Sequence, residues 1–246
     1  MWCPPAERGF LSKFTISRHF IWVKIMFDRI IKLIGEDIFN KIKSKSILIV
    51  GIGGVGGTAL ETLVRSGFNN ITIIDHDTFV ESNLNRQIMA TSKDLGKNKV
   101  DIAKKRSKAI NKDVLINCSK EYLNSENIAN IGYFDYIIDA CDSIDAKVAL
   151  IKYSLDNNIK IISCMGTGKR LDPSKVSITT LDKTYNDPLA KVMRSKLKDI
   201  NIKKVTVVFS SELPKNNNKE ISSMMMVPST AGIYLAYYVI NDIIKE

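Results

Sequence analysis

The chain has 246 residues, 45% apolar and 25% charged, with 13 Gly and 6 Pro; that length buries a full core, and that composition excludes fibrous, collagen-like and wholly disordered classes. Against 26 Asp and Glu stand 36 Lys and Arg, a net charge of +10, which points to a polyanionic partner such as nucleic acid or an acidic membrane surface. Cys3, Cys118, Cys141 and Cys164 form no C-x-x-C pair, so the cysteines suit a reducing, cytoplasmic setting rather than a zinc knuckle or dithiol couple, and no stretch reaches the roughly 18 uninterrupted apolar residues of a membrane span.

Residues 1–25 are basic, with Arg8, Lys13, Arg18 and Lys24 against Glu7. They carry a faint organelle-transit character without the apolar core of a secretory signal, and read as an extension packing little against the rest. From Asp28 the pattern is regular. Ile30, Ile31, Leu33, Ile34, Ile38 and Ile42 keep helical spacing up to the apolar run Ser46–Val50, predicting one helix and then a buried strand. Gly51-Ile52-Gly53-Gly54-Val55-Gly56 follows, then a helix over Thr58–Ser66 capped by Gly67 and a strand over Ile71–Asp75, one complete β-α-β unit. Lys99–Ile110 reads as a basic helix, Val114–Cys118 and Tyr136–Asp139 as strands, Ala146–Leu155 as a helix and Ile159–Ser163 as a strand. Beyond Gly168 come strands at Lys175–Thr180 and Val205–Phe209 around a helix at Leu189–Lys198, a surface loop at Pro214–Glu220, and a terminal helix at Pro228–Ile244 opened by Ser229 as N-cap. Alternating strands and helices of these lengths predict an α/β, doubly wound, mainly parallel Rossmann-like sheet. Its nucleotide-binding half spans residues 26–165, and a smaller C-terminal half, 166–246, shares the sheet.

Gly51, Gly53 and Gly56 fit G-x-G-x-x-G directly after a strand, with Asp75 nineteen residues beyond Gly56. In that context the glycines let phosphate approach the backbone, the helix N-terminus supplies N–H donors, and the acid accepts from ribose hydroxyls. The neighbouring charges select the nucleotide. A hydride-transfer enzyme needs an uncluttered pocket for its nicotinamide, whereas a triphosphate attacked at its α-phosphorus needs cations for the developing charge and a carboxylate for Mg²⁺. Asp77, Asn83-Leu84-Asn85-Arg86-Gln87, Gly96-Lys97-Asn98-Lys99 and Asp139-Ala140-Cys141-Asp142 provide both, all leaving the carboxyl ends of predicted strands.

These strings, ILIVGIGGVGG, IIDHD, NLNRQI, GKNK and DACDS, resemble the adenylating superfamily that includes the ubiquitin-activating enzymes and the bacterial activators of sulfur-carrier proteins. Within it, MFDRIIKLIGED, DSIDAKVALI, SCMGTGKRLDPSKV, DPLAKVMRSKLK and VPSTAGIYLA are most similar to the tRNA threonylcarbamoyladenosine dehydratases, a resemblance running from about Met26 to Ile244. The resemblance implies adenylation of a carboxylate by ATP with release of pyrophosphate. It implies that Gly53 and Gly54, with Gly51 and Gly56 shaping the loop, lie under the ATP phosphates; that Asp75, with Asp77 nearby, holds the ribose; that Asn85, Arg86 and Lys99 contact phosphates; and that Asp142 binds Mg²⁺. Arg29 would serve the ATP of the other subunit of a homodimer, although the further arginine that the superfamily often has three residues earlier is here Met26. A monovalent cation and sulfur or redox partner proteins are also implied, without assignable ligands or contact residues.

For a dehydratase the substrate is the anticodon arm of tRNA, and the carbamoyl group beside the threonine carboxylate closes a five-membered ring. The basic residues Lys104, Lys105, Arg106 and Lys108, with Lys169 and Arg170 and with Lys191, Arg194, Lys196 and Lys198, would then meet phosphates. The alternative is an activator of a small carrier protein's C-terminus. Such enzymes commonly carry paired zinc knuckles or a catalytic cysteine, and the cysteines here, in or beside strands or in the leader, read as buried inert thiols. His19 and His76 read as surface residues, Met224–Met226 as strand or interface filler, and Ala231–Ile240 as a helix packed on the core or on a partner rather than on a membrane.

Overall fold

The structure is a computed structural model and describes residues 25–202, 204–216 and 222–246; the leader and part of the 214–220 loop lie outside the described residues. Strands β1 (Ser46–Val50), β2 (Asn70–Ile74), β3 (Leu115–Ser119), β4 (Tyr136–Asp139), β5 (Lys160–Cys164), β6 (Val176–Thr180) and β7 (Thr206–Ser210) form one sheet in the order β3-β2-β1-β4-β5-β7-β6. All neighbours pair in parallel except β6, which runs antiparallel to β7. The expected doubly wound fold is present, and each strand lies within one residue of its sequence reading.

Helices are α1 (25–34), α2 (Glu36–Ser44), α3 (Gly54–Arg65), α4 (Lys99–Ile110), α5 (Ile144–Asp156), α6 (Pro188–Asp199) and α7 (Met226–Lys245). The two cores follow from strand alternation. Ile47 and Ile49 of β1 join α3, α4 and α7 on one face, while Leu48 and Val50 join α5 and α6 on the other, so the central strands read as continuous apolar runs. Ser143 and Asp187 cap α5 and α6, each accepting from a backbone N–H of the first turn. Gly67, at φ +99°, ends α3 in the left-handed region, as expected.

Four expectations change. The helix predicted before β1 is two helices, broken where Gly35 takes φ +85°, and Leu33 on the first is exposed. Helix α3 starts four residues early, at Gly54. Ser229 is no cap: α7 begins at Met226, and the Ser229 N–H donates to the Met225 carbonyl within the first turn. The methionines 224–226 form no strand; Met224 and Met225 lead into α7, Met226 opens it, and all three are exposed. Helix α7 itself packs on the core through Ala231, Leu235, Ala236 and Val239. Gly232 faces α3 so closely that a Cβ there would collide with the Val55 carbonyl.

At the opposite end α7 is clamped to the sheet by charge. Lys160 bridges Asp242 and Glu246 at 2.7 Å each, Lys45 meets Glu246 at 3.2 Å, and the buried Tyr136 hydroxyl donates to Asp242 at 2.7 Å. The Lys160 hydrogen bond, opposed by partial desolvation and helped by Lys45, holds Glu246 at about 2 rather than 4.5. A carboxyl depressed in the folded state stabilises above its unfolded value and loses that contribution as pH falls through the folded one. Between pH 4.5 and about 2 the melting temperature should therefore drop more steeply for the native chain than for Glu246→Gln; parallel curves would refute this.

Candidate functional site

The glycine loop leaves β1 where the strand order reverses between β1 and β4, the crevice in which open α/β sheets bind ligands. Gly51 takes φ +90°, and a Cβ there would stand 2.6 Å from the Ala140 carbonyl, so the loop and the β4 exit touch backbone to backbone. Gly53 precedes α3 with open space where a side chain would be, the nearest atom being Gln87 Nε2 at 3.9 Å. No side chain caps α3 and no acid occupies its first turn, which leaves its N–H groups to an anion.

Around this loop lies a cleft of about 300 Å³ lined by Gly51, Gly53, Gly54, Asp75, Asp77, Arg86, Lys99 and Asp142 among others. Asp75 is buried and accepts from the Ile52 N–H at 2.6 Å and the Asp77 N–H at 2.9 Å; its remaining lone pairs can take ribose hydroxyls. Lys99 is buried with its ammonium 2.7 Å from Asp77. Partial burial pushes Asp77 up, but the hydrogen bond and charge of Lys99, with His76, hold it below the usual carboxylate range. Arg86 donates to the Ser82 carbonyl at 2.7 Å and to Asn85 Oδ1 at 3.0 Å. Asp142 is exposed and makes no hydrogen bond or ion pair among the described residues. Magnesium takes one or two carboxylates plus substrate phosphates, which this lone acid fits. Among the described residues a clustered trio of possible metal ligands occurs at Asp75, His76 and Asp77, and Asp142 is outside it.

Asn85 does not line the cleft: its amide donates to the Ser223 carbonyl at 2.8 Å. Asn83, which the sequence reading placed in this segment without a role of its own, is buried and does line it, and so does Gln87, whose Oε1 is buried without a partner among the described residues. Gly56 is likewise behind the cleft, packed where a Cβ would overlap the Gly51 carbonyl. Tyr122 and His76 also line the cleft, in edge-to-face contact at 4.9 Å.

Beneath Asp142 lies a fully buried ion pair. Lys147 of α5 donates to both Asp139 oxygens, at 3.1 and 3.0 Å, and to the Cys164 carbonyl at 2.7 Å. Burial pushes the Lys147 ammonium down, but the adjacent carboxylate more than offsets this and holds it above the ordinary lysine range. Cys141 lines the cleft with its thiol 3.0 Å from Asp139, and burial and that carboxylate push it up, as burial pushes Cys164 up to about 12. Neither is poised as a nucleophile. Cys118 and Cys141 are only partly buried, contrary to the expectation that every thiol is buried, and Cys3 lies outside the described residues.

Arg29 is exposed on α1 and is not among the residues lining its own chain's cleft. Of the basic residues expected at RNA, Lys104, Lys105, Lys191, Lys196 and Lys198 are exposed. Lys169 is half-buried, and four others are engaged within the protein, Lys108 by donating to the Lys112 carbonyl at 3.3 Å. Arg106 pairs with Glu61 at 2.7 Å, the buried Arg170 donates to the Gly168, Asn186 and Glu212 carbonyls, and Arg194 donates to the Thr184 carbonyl at 3.0 Å.

A doubly wound sheet with an uncapped glycine-loop helix, two cations and, among the described residues, an unpaired carboxylate at its switch point defines a nucleotide-binding α/β protein. Residues 27–185 match the ThiF family, and the chain belongs to it. It is 35% identical over 234 residues to the tRNA threonylcarbamoyladenosine dehydratase of Bacillus subtilis, covering 87% of this chain and 92% of that one, and 33% identical over 240 residues to that of Haemophilus influenzae, with the same coverage. The crystal structure of Escherichia coli tRNA N6-threonylcarbamoyladenosine dehydratase, TcdA, in complex with ATP superposes with a TM-score of 0.85 at 32% identity, over 90% of this chain and 95% of that one. Among the described residues no helix is long and apolar enough to cross a membrane.

Proposed function

We propose that this enzyme dehydrates and cyclises N6-threonylcarbamoyladenosine beside the anticodon of tRNA, in the cytoplasm, at the expense of ATP. The observation that carries the reading is the switch-point cleft, with Arg86, Lys99 and Asp142 facing the glycine loop, on a chain matching dehydratases over most of its length. Gly53, Gly54 and the α3 N-terminus would receive the phosphates, and Asp75 the ribose. The unpartnered Gln87 oxygen and the buried Asn83, rather than Asn85, would supply the remaining polar contacts. Asp142 would hold Mg²⁺, which when bound neutralises triphosphate charge.

The threonine carboxylate attacks the α-phosphorus, and pyrophosphate leaves with the bridging electron pair while Arg86 and Lys99 stabilise the charge. The carbamoyl group then attacks the acyl carbon, loses its proton and expels AMP, which carries away the carboxylate oxygen; the nucleoside has lost one water. Because the nucleophile is tethered, proximity contributes on the order of 7 kcal/mol or more. No enzyme thioester is needed, in keeping with the unreactive environments of Cys141 and Cys164. That distinction favours RNA over a carrier protein as substrate.

The assembly we propose is a homodimer. Met226, Ile233, Tyr237 and Ile244 recur at heptad-like spacing on the exposed side of α7, and Ile25 and Leu33 are exposed on the helix that bears Arg29. A second copy would cover them and bring its Arg29 to this cleft. The test of the reaction is nucleoside mass analysis of modified tRNA incubated with the enzyme and ATP. AMP, pyrophosphate and a nucleoside lighter by one water are expected; ADP, or an unchanged nucleoside with an active carrier-protein adenylation assay, would overturn the reading.

A further inference from the structure

The 139–142 turn is braced from beneath by charges that never meet solvent. Asp139 and Lys147 are each 0% exposed. Asp139 sits at the last residue of β4, Ser163 and Cys164 close the neighbouring β5, and Lys147 lies in α5, whose N-cap is Ser143. Three segments therefore converge on one carboxylate. Oδ1 accepts from the Cys141 N–H at 3.2 Å, Oδ2 accepts from Ser163 Oγ at 2.5 Å, and Lys147 spans both oxygens before reaching the Cys164 carbonyl. Between Asp139 and the α5 cap lie Ala140, Cys141 and Asp142, and of these Asp142 is the one exposed in the cleft. A buried pair of this kind contributes little net stability compared with apolar side chains of the same volume, so its value lies in the geometry it specifies.

We infer that Asp139 and Lys147, with Ser163, are positioning residues that fix the turn presenting Asp142 to the magnesium nucleotide. The inference rests on the reading of Asp142 given above. The brace touches neither nucleotide nor metal; it acts by denying the 140–142 backbone other conformations, as groups behind metal ligands generally do.

The test compares the native chain with Asp142→Ala, Ser163→Ala and the paired variant Asp139→Asn/Lys147→Met, which leaves no buried charge unmatched. Each is assayed for pyrophosphate–ATP exchange across a Mg²⁺ titration, and for ATP binding by calorimetry without metal. The paired variant should need about 10–100-fold more Mg²⁺ for half-maximal exchange, Ser163→Ala a smaller increase, and both should bind metal-free ATP as the native chain does. A general loosening would weaken the two together. Native Mg²⁺ dependence in the paired variant, with Asp142→Ala inactive, overturns the brace and leaves the reading of Asp142 standing. A native titration in Asp142→Ala removes that reading and the inference with it. Should the paired variant not fold, the Ser163→Ala titration decides alone: a raised Mg²⁺ requirement supports the brace and an unchanged one overturns it.

Discussion

Asp142→Ala should melt where the native chain does and lose pyrophosphate exchange by about 10²–10³-fold or more, the scale on which a pre-placed electrostatic group acts on a transition state. The fold should not notice, because this carboxylate is exposed and unpaired among the described residues. Arg29→Ala should be similarly inactive for a different reason. If Arg29 serves the partner's site, mixing the two variants under conditions of subunit exchange creates dimers in which one site carries both defects and the other neither, and part of the activity returns. A mixture that exchanges subunits and stays inactive would place Arg29 in its own chain's service or in none.

The second large effect separates two glycines that the sequence shows as equals. A Cβ on Gly56 would overlap the Gly51 carbonyl, with Ala140 Cβ only 3.2 Å away, whereas at Gly53 it would enter open space. Gly56→Ala should therefore force the α3 N-terminus off β1, at about 3 kcal/mol, lowering the melting temperature by roughly 6–12 °C and abolishing ATP binding. Gly53→Ala should melt like the native chain and still bind ATP poorly, since the added methyl occupies the phosphate approach. Equal melting temperatures for the two variants would show that the loop relaxes around Gly56.

What the sequence revealed and concealed follows from how each feature is encoded. The strands were legible because β1, β2, β4 and β5 are buried on both faces, and runs such as ILIV leave few other assignments. The start of α3 was not: glycine disfavours helix on propensity, yet Gly54 is helical, at a place where a Cβ would stand 3.1 Å from the Arg86 carbonyl. The break at Gly35 was hidden because isoleucines continue at helical spacing on either side, and only the sign of one φ divides them. Asn83 and Asn85 are the same residue two positions apart, so nothing local says which one turns inward; the path of the 3-10 turn over Glu81–Asn83 decides it. Lys147 carried no signal either. A lysine in a helix reads as solvated, and its burial depends on a carboxylate eight residues away whose strand brings it underneath.

The close packing of α7 on α3 has a consequence for the making of the molecule. Thr58 of the nucleotide-loop helix meets Ser229 across 171 positions of sequence, and Gly232 seats against Val55 on the same helix. During synthesis every strand of the sheet emerges before α7 does. The glycine-loop helix thus waits, with one flank bare, for a segment translated much later, and contacts so distant in sequence form slowly. A helix that the opening third of the chain encodes is packed into place by its closing tenth.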